Sequence, residues 1–265
     1  MISQKIQRLR RAIWTWKQPL MRLPPLVGAP ISDLFVWRSS GEWQTLFELI
    51  DIASLFEDAE GPQDVTLIAF DELGHRVLEK KVILQVNCRQ TLDISLMIGR
   101  AYGEKGTFAV FHSRTPSSIT KLGSFLAERG YVSYRYRGAP LRAYVHGNFD
   151  AISLGADGEL KFLGGGSLLR REYSLQYELQ HGVVYELGIV NPTSNLQRCI
   201  CKLVSVRARK IIGAQVVNLP PGGIQLVPVQ VDKSEPVRLV IESRLVMARP
   251  IVFRIQNLKL DVFHG

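Results

Sequence analysis

Val65-Thr66-Leu67-Ile68-Ala69-Phe70, closed by Asp71-Glu72-Leu73-Gly74, is the stretch on which the fold reading turns. Six residues, apolar apart from Thr66, end at an acidic turn with a glycine. A run of that length, rich in β-branched and aromatic residues and bounded by turn signals, reads as a strand rather than a helix. The same pattern continues in both directions. Upstream, Phe47-Glu48-Leu49 opens a strand-like stretch that begins at residue 43. Downstream, Arg76 to Leu84 resumes with Val77, Val82 and Leu84, Thr91-Leu92-Asp93-Ile94 alternates, and Gly106-Thr107-Phe108-Ala109-Val110-Phe111 forms another apolar run. Short strands at these intervals, with turns between them, point to a sandwich or a barrel.

The second half repeats this order. Tyr185-Glu186-Leu187 parallels Phe47-Glu48-Leu49, and Cys199-Ile200-Cys201 parallels Thr66-Leu67-Ile68. Pro220-Pro221-Gly222-Gly223 makes the turn held in the first half by Asn87-Cys88-Arg89-Gln90. Arg238 to Arg244 matches Phe108 to Arg114, and the offset drifts from 138 to 130 across the repeat, as loop insertions produce. Gly155-Ala156-Asp157-Gly158 through Gly164-Gly165-Gly166 reads as a linker. No Lys-Ser/Thr follows those glycines, so they do not form a phosphate cradle. The expected fold is mainly β. It has two tandem β-sandwich-type domains, 29–154 and 167–265, with a linker at 155–166, an N-terminal amphipathic helix within 1–28 and a short helix-hairpin insert at 117–148.

A strand with Phe-Glu-Leu, a β run ending in Asp71-x-x-Gly74, Thr91-Leu92-Asp93-Ile94, and Gly106 to Phe111 followed by Ser113-Arg114-x-Pro116 resembles the sensory rhodopsin transducer family. The likeness covers residues 43–116 and, more faintly, 185–250. It implies a small cytoplasmic β-sandwich that oligomerises and engages a membrane receptor. The duplication, the basic arm and the insert depart from that pattern.

Hydrophobic residues make up 46% and charged residues 22% of the 265, so the chain has the composition of a globular protein and not of a disordered one. The net charge of +9 is unevenly placed. Lys5, Arg8, Arg10, Arg11, Lys17 and Arg22 stand in residues 1–23 without an acid, which leaves 27 basic against 24 acidic residues elsewhere. In the same segment Ile2, Ile6, Leu9, Ile13, Trp16 and Leu20 recur at spacings of 4 and 3, one stripe of a helix that Pro24 and Pro25 stop. Lys5, Arg8, Arg11, Trp14 and Trp16 are its candidate contacts with an anionic membrane surface or with a second subunit. No motif for nucleic acid accompanies the charge. Lys17 and Pro19 interrupt what would be the apolar core of a signal peptide, and no apolar run reaches the roughly 20 residues of a membrane span. The expected location is cytoplasmic, peripheral at the inner membrane. Cys199 and Cys201 would share one strand face; no histidine cluster completes a metal site, so they read as buried thiols beside Cys88. No cofactor or metal is implied.

The insert at 117–148 has no counterpart in the second half. Ser117 or Ser118 would cap a short helix through Ile119, Leu122, Phe125 and Leu126, closed by Gly130. Tyr131 to Gly138 and Leu141 to Asn148 then read as a hairpin around Gly138-Ala139-Pro140. Alternation puts Tyr134 and Tyr136 on one face, Arg135 and Arg137 on the other, and Arg142, Tyr144 and His146 together. Tyrosine and arginine favour binding surfaces: the ring stacks, and the guanidinium grips carboxylate or phosphate. With Asn148 these residues form the candidate ligand- or partner-binding set. A solvated hairpin with cross-strand tyrosine pairs accounts for them equally. Glu48, Asp93, His112, His146 and Asp150 are the residues from which a catalytic group could be assembled, although no catalytic motif is present. The functional expectation is a non-catalytic binding or adaptor protein with a glycan or protein ligand that forms a homo-oligomer. The alternatives are a carbohydrate-active enzyme or an accessory carbohydrate-binding domain, and a structural oligomer.

Overall fold

The computed structural model describes residues 28–57, 60–121, 125–231, 235–246 and 249–265. The N-terminal arm, with its expected helix and with Lys5, Arg8, Arg11, Trp14 and Trp16, lies outside the described residues. Within them the chain is strand after strand. The first half contains β1 (Ile31–Asp33), β2 (Phe35–Arg38), β3 (Trp43–Ile50), β4 (Gln63–Asp71), β5 (Arg76–Leu84), β6 (Arg89–Asp93), β7 (Lys105–His112), β8 (Ala127–Glu128), β9 (Tyr131–Tyr136), β10 (Ala143–His146) and β11 (Ala151–Leu154). Then follow β12 (Leu160–Phe162), β13 (Gly166–Leu179), β14 (Val184–Val190), β15 (Gln197–Ser205), β16 (Ile211–Leu219), β17 (Ile224–Gln230), β18 (Val237–Leu245), β19 (Ile251–Gln256) and β20 (Lys259–His264). Two α-helices of five residues each, α1 (Ile94–Ile98) and α2 (Ser117–Lys121), are the α-helix present among the described residues. None of that helix is long and apolar enough to cross a membrane.

The strands assemble into five four-stranded sheets, with orders β2-β7-β4-β5, β10-β9-β3-β6, β13-β18-β15-β16, β17-β14-β19-β20 and β12-β11-β1-β8. Five sheets of four strands is the blade inventory of a five-bladed β-propeller, not the paired sheets of two tandem sandwiches. The expected architecture is corrected accordingly. Strands distant in sequence lie side by side in these sheets, so that β2 neighbours β7 and β13 neighbours β18. The first two sheets and the next two carry the same relative strand order, with β3 and β14 in equivalent places. The fifth sheet has no counterpart. It includes a parallel pair, β1 with β8, and its outermost strand β12 comes from the segment 155–166.

The physical reason for the fifth sheet lies in the apolar runs that mark β4 and β7. In β4, Leu67, Ile68 and Ala69 are all fully buried, and in β7 so are Phe108, Ala109 and Val110. Consecutive buried residues point to opposite faces of a sheet, so both faces must be covered. One face looks into the main core. Against the other side of β7 pack β1, β8 and β11, and the Ser32 hydroxyl accepts a hydrogen bond from the Val110 N–H at 2.8 Å. By contrast β18 alternates buried and less buried residues along its length, as a sheet covered on one face does.

The main core also crosses from one half to the other. It takes Val190, Ile224, Ile251, Phe253 and Val262 from the second half alongside Trp37, Phe47 and Phe108 from the first. Arg38 forms an ion pair with Glu186 there, and its guanidinium lies 3.5 Å from the centre of the Trp43 ring. Thr107 donates to the Gly222 carbonyl at 2.6 Å, and the Ile224 N–H donates to the Glu72 carbonyl at 3.1 Å. A second cluster around Leu187, Cys201 and Ile241 serves the second half alone. Cys199 and Cys201 are buried within it, and burial pushes the Cys201 thiol up to about 12.

The insert is built into the sheets. The helix expected through Phe125 is described only as α2; Phe125 packs instead on Ile31, Ala151 and Leu163, and β8 follows at once. β9 and β10 do pair as a hairpin, with Tyr134 opposite Ala143 and Tyr131 opposite His146. β9 also pairs with β3, which makes it an interior strand of its sheet.

Candidate functional site

The register of the sheet β10-β9-β3-β6 sorts its side chains onto two faces. Directly paired residues share a face, and residues two apart along a strand share it too. One face carries Val132, Tyr134, Tyr136, Trp43, Phe47 and Val145, all buried in the main core. The other carries Tyr131, Ser133 and Arg135 on β9, Tyr144 and His146 on β10, Gln44, Leu46 and Glu48 on β3, and Arg89, Thr91 and Asp93 on β6. On this outer face Tyr131 and Tyr144 are 50% and 48% exposed. They sit diagonally on neighbouring strands, at a spacing of about 7–8 Å for such pairs.

Beneath the two rings the surface is polar and closed. Glu48 is buried and accepts from Arg89 Nε and from the Thr91 hydroxyl, both at 2.9 Å. The hydrogen bond and the charge of Glu48 raise the Arg89 pKa, which holds the guanidinium charged. Gln44 donates to the Asp93 carboxylate at 2.6 Å, while the other Asp93 oxygen caps α1 through the Leu96 N–H. Ser133 is fully buried, directly opposite Tyr144 and Leu46, and its hydroxyl has no hydrogen-bond partner among the described residues; neither has Arg135 Nε. Buried polar atoms without partners are uncommon, and each calls for an explanation.

Along β10 this face runs into a polar knot between the halves. The His146 and His264 rings lie 4.8 Å apart, and His264 Nε2 bonds the His146 carbonyl at 3.0 Å. That carbonyl can only accept, so His264 carries its proton on Nε2. Burial lowers its pKa to about 4, which leaves the ring neutral at physiological pH. Asn148 bonds the Arg249 carbonyl. Phe149 follows with φ +62°, in the left-handed region, and the Arg129 guanidinium lies 3.4 Å from the centre of its ring. Asp33, buried behind this turn, accepts from the Phe149 N–H and from Arg129 Nε, each at 3.1 Å. Asp150 lies close enough to Asp33 for their charges to oppose each other, and among the described residues its side-chain partner is Asn148 at 3.5 Å. Burial, then the charge of Asp33, raises its pKa well above the usual carboxylate range.

The structure therefore divides the residues singled out from sequence. Arg135, Tyr144 and His146 lie on the outer face, and Arg142 stands one residue before β10. Tyr134 and Tyr136 point the other way: Tyr134 donates to the Val36 carbonyl at 2.8 Å, and its ring packs edge-on against Phe253. Arg137 occupies the turn after β9 at φ +49° and binds Glu42 at 2.7 Å. Asn148 holds the loop after β10. Tyr131, Ser133 and Arg89 belong to the outer face although the sequence reading passed over them. The available signal was the phase of β9, in which Val132 marks the inward set and so leaves Tyr131, Ser133 and Arg135 outward.

The residues considered for catalysis do not converge. Glu48 serves Arg89, Asp93 caps α1, and His146 and Asp150 line a void of about 30 Å³ together with His264 and the Tyr134 phenol. His112 and Glu128 form a buried pair at 2.7 Å, with His112 Nδ1 unpartnered among the described residues. The space beside them is about 10 Å³, about what a single water occupies.

No protein-family model matches the chain, and no curated protein matches it. The resemblance to the sensory rhodopsin transducer family is thereby corrected: no family match supports it, and the five sheets do not form its sandwich. Among solved structures, a β-glucuronidase from glycoside hydrolase family 2 aligns at 8% identity and a TM-score of 0.18. The alignment covers 94% of this chain and 25% of that one, so the chain spans about a quarter of the enzyme's length. A likeness this slight decides neither fold nor activity.

Proposed function

We propose that this chain is a non-catalytic binding protein whose recognition surface is the outer face of the sheet β10-β9-β3-β6. One observation carries the reading: two half-exposed tyrosine rings lie beside a fully buried serine hydroxyl that has no partner among the described residues. The rings offer apolar stacking area on rigid side chains, and the hydroxyl beneath them is an unmet hydrogen bond that a ligand can fill only by displacing the side chains that cover it. The ligand is a glycan or a protein segment that lies flat on the sheet. Tyr131 stands on the interior strand β9 and Tyr144 on the neighbouring edge strand β10, so paired backbone holds both rings. The basic segment 1–23 extends the reading to an anionic membrane surface at the cytoplasmic side, through the six positive charges it carries.

The test is the pair Tyr131→Ala and Tyr144→Ala, singly and together, screened beside the wild type on a glycan array and in a partner pull-down. Each single change is expected to weaken binding by about 2 kcal/mol, close to thirtyfold, and the double change to abolish it. Both side chains are half exposed, so the melting curves stay close to the wild type. A double variant that folds normally and keeps every wild-type interaction overturns the proposal.

A further inference from the structure

The charge around the two tyrosines narrows the ligand. The outer face holds Arg89 and Arg135, with Arg142 just before β10, against Glu48 and Asp93. Glu48 is committed to Arg89 and Thr91, and Asp93 to Gln44 and to the cap of α1. Neither Arg135 nor Arg142 has an ion-pair partner among the described residues, and Arg135 Nε lacks even a hydrogen bond. Along β9 the outward order is Tyr131, Ser133, Arg135: a stacking ring, an unpartnered hydroxyl, and a guanidinium with donors to spare. Tyr144 lies opposite the serine.

Resting on the binding reading above, we infer that this face takes an oligosaccharide bearing a carboxylate, a hexuronic acid unit within a short glycan. A pyranose ring supplies the flat apolar face that stacks on tyrosine. Its hydroxyls both donate and accept, which suits the polar side chains that surround the rings. A planar carboxylate matches the donor fork of Arg135 or Arg142. An acidic peptide meets the arginines as well but leaves the two exposed rings without a matched flat apolar partner, so the saccharide is the occupant the face favours.

The experiment titrates the full chain by calorimetry with a hexuronate-containing tetrasaccharide, with its carboxyl-reduced neutral form, and with an oligoglutamate peptide. The acidic sugar is expected to bind at least tenfold more tightly than the neutral form, and its affinity to fall as salt is raised. Arg142→Gln and, separately, Arg135→Gln remove most of that preference while the neutral sugar still binds; the neutral-sugar affinity also reports that each variant has folded. Equal affinity for the two sugars overturns the inference and leaves the binding surface standing. Binding of the peptide with neither sugar bound overturns it in favour of a protein ligand. No binding of any probe, with Tyr131→Ala and Tyr144→Ala also silent in the screen above, removes both the inference and the reading beneath it.

Discussion

Removing one hydroxyl distinguishes an inward from an outward role for Tyr134, the residue whose side chain the tertiary structure turns inward. Its phenol is fully buried and donates to the Val36 carbonyl at 2.8 Å, and burial holds its pKa far above the ordinary range, so it remains a donor at any working pH. Tyr134→Phe keeps the ring and its edge-on contact with Phe253, 5.0 Å away, and removes only the hydrogen bond. Val36 is itself buried, and an orphaned buried acceptor costs about 1–3 kcal/mol. For a chain of this size each kcal/mol lowers the melting temperature by roughly 2–4 °C, so a fall of several degrees is expected. Tyr134→Ala also opens a cavity between β9 and the second half, and changes of that kind cost about 3–5 kcal/mol. The assay is calorimetric or chemical unfolding of both variants, beside Tyr144→Phe as an outward control that should melt like the wild type. A Tyr134→Phe variant as stable as the wild type refutes the assigned hydrogen bond. A Tyr134→Ala variant that melts normally but loses ligand refutes the inward placement altogether.

Two further outcomes concern a contact between the halves and a carboxyl in the first half. Gly74 has φ +82°, and a Cβ there would lie 1.9 Å from the Pro221 carbonyl oxygen, so Gly74→Ala adds a backbone clash to an unfavourable dihedral angle; it should cost well over ~1 kcal/mol in unfolding free energy, whereas Gly61→Ala, with open space around it, should cost only the dihedral penalty. Asp150 has its folded-state pKa raised well above the unfolded value, so its stabilising contribution is complete below the unfolded pKa near 3.8 and is lost as pH rises through the folded one. Asp150→Asn should therefore unfold at higher denaturant than the wild type at pH 8, with the gap closing as pH falls toward 4, and a gap that is constant with pH would count against the buried carboxyl.

Strand identity was legible from residues alone because alternation and turn chemistry are local. The stretches around Phe47, Leu67, Phe108, Leu187 and Ile241 are all strands, and the turn at Asp71-Glu72-Leu73-Gly74 lies where the acids and glycine put it. The repeat read between the halves corresponds to strands that hold equivalent places in their sheets. In the candidate site the shared face of Tyr144 and His146 was likewise a matter of period two, whereas the register that sets Arg135 on the same face came only with the strand pairing. Which strands lie side by side was not legible, because pairing joins residues far apart in the chain: β1 meets β8 and β11, and β2 meets β7, through hydrogen bonds that leave no mark on the local pattern. The unbroken apolar runs of β4 and β7 did contain the need for a second covering layer; only the tertiary structure showed that β1, β8 and β11 provide it. The same dependence decided the tyrosines. Tyr134 and Tyr144 are the same residue type on paired strands, and a one-residue difference in phase sends one into a core shared with Phe253 and leaves the other on the surface, because a strand's side chains alternate and only packing determines which face is dry.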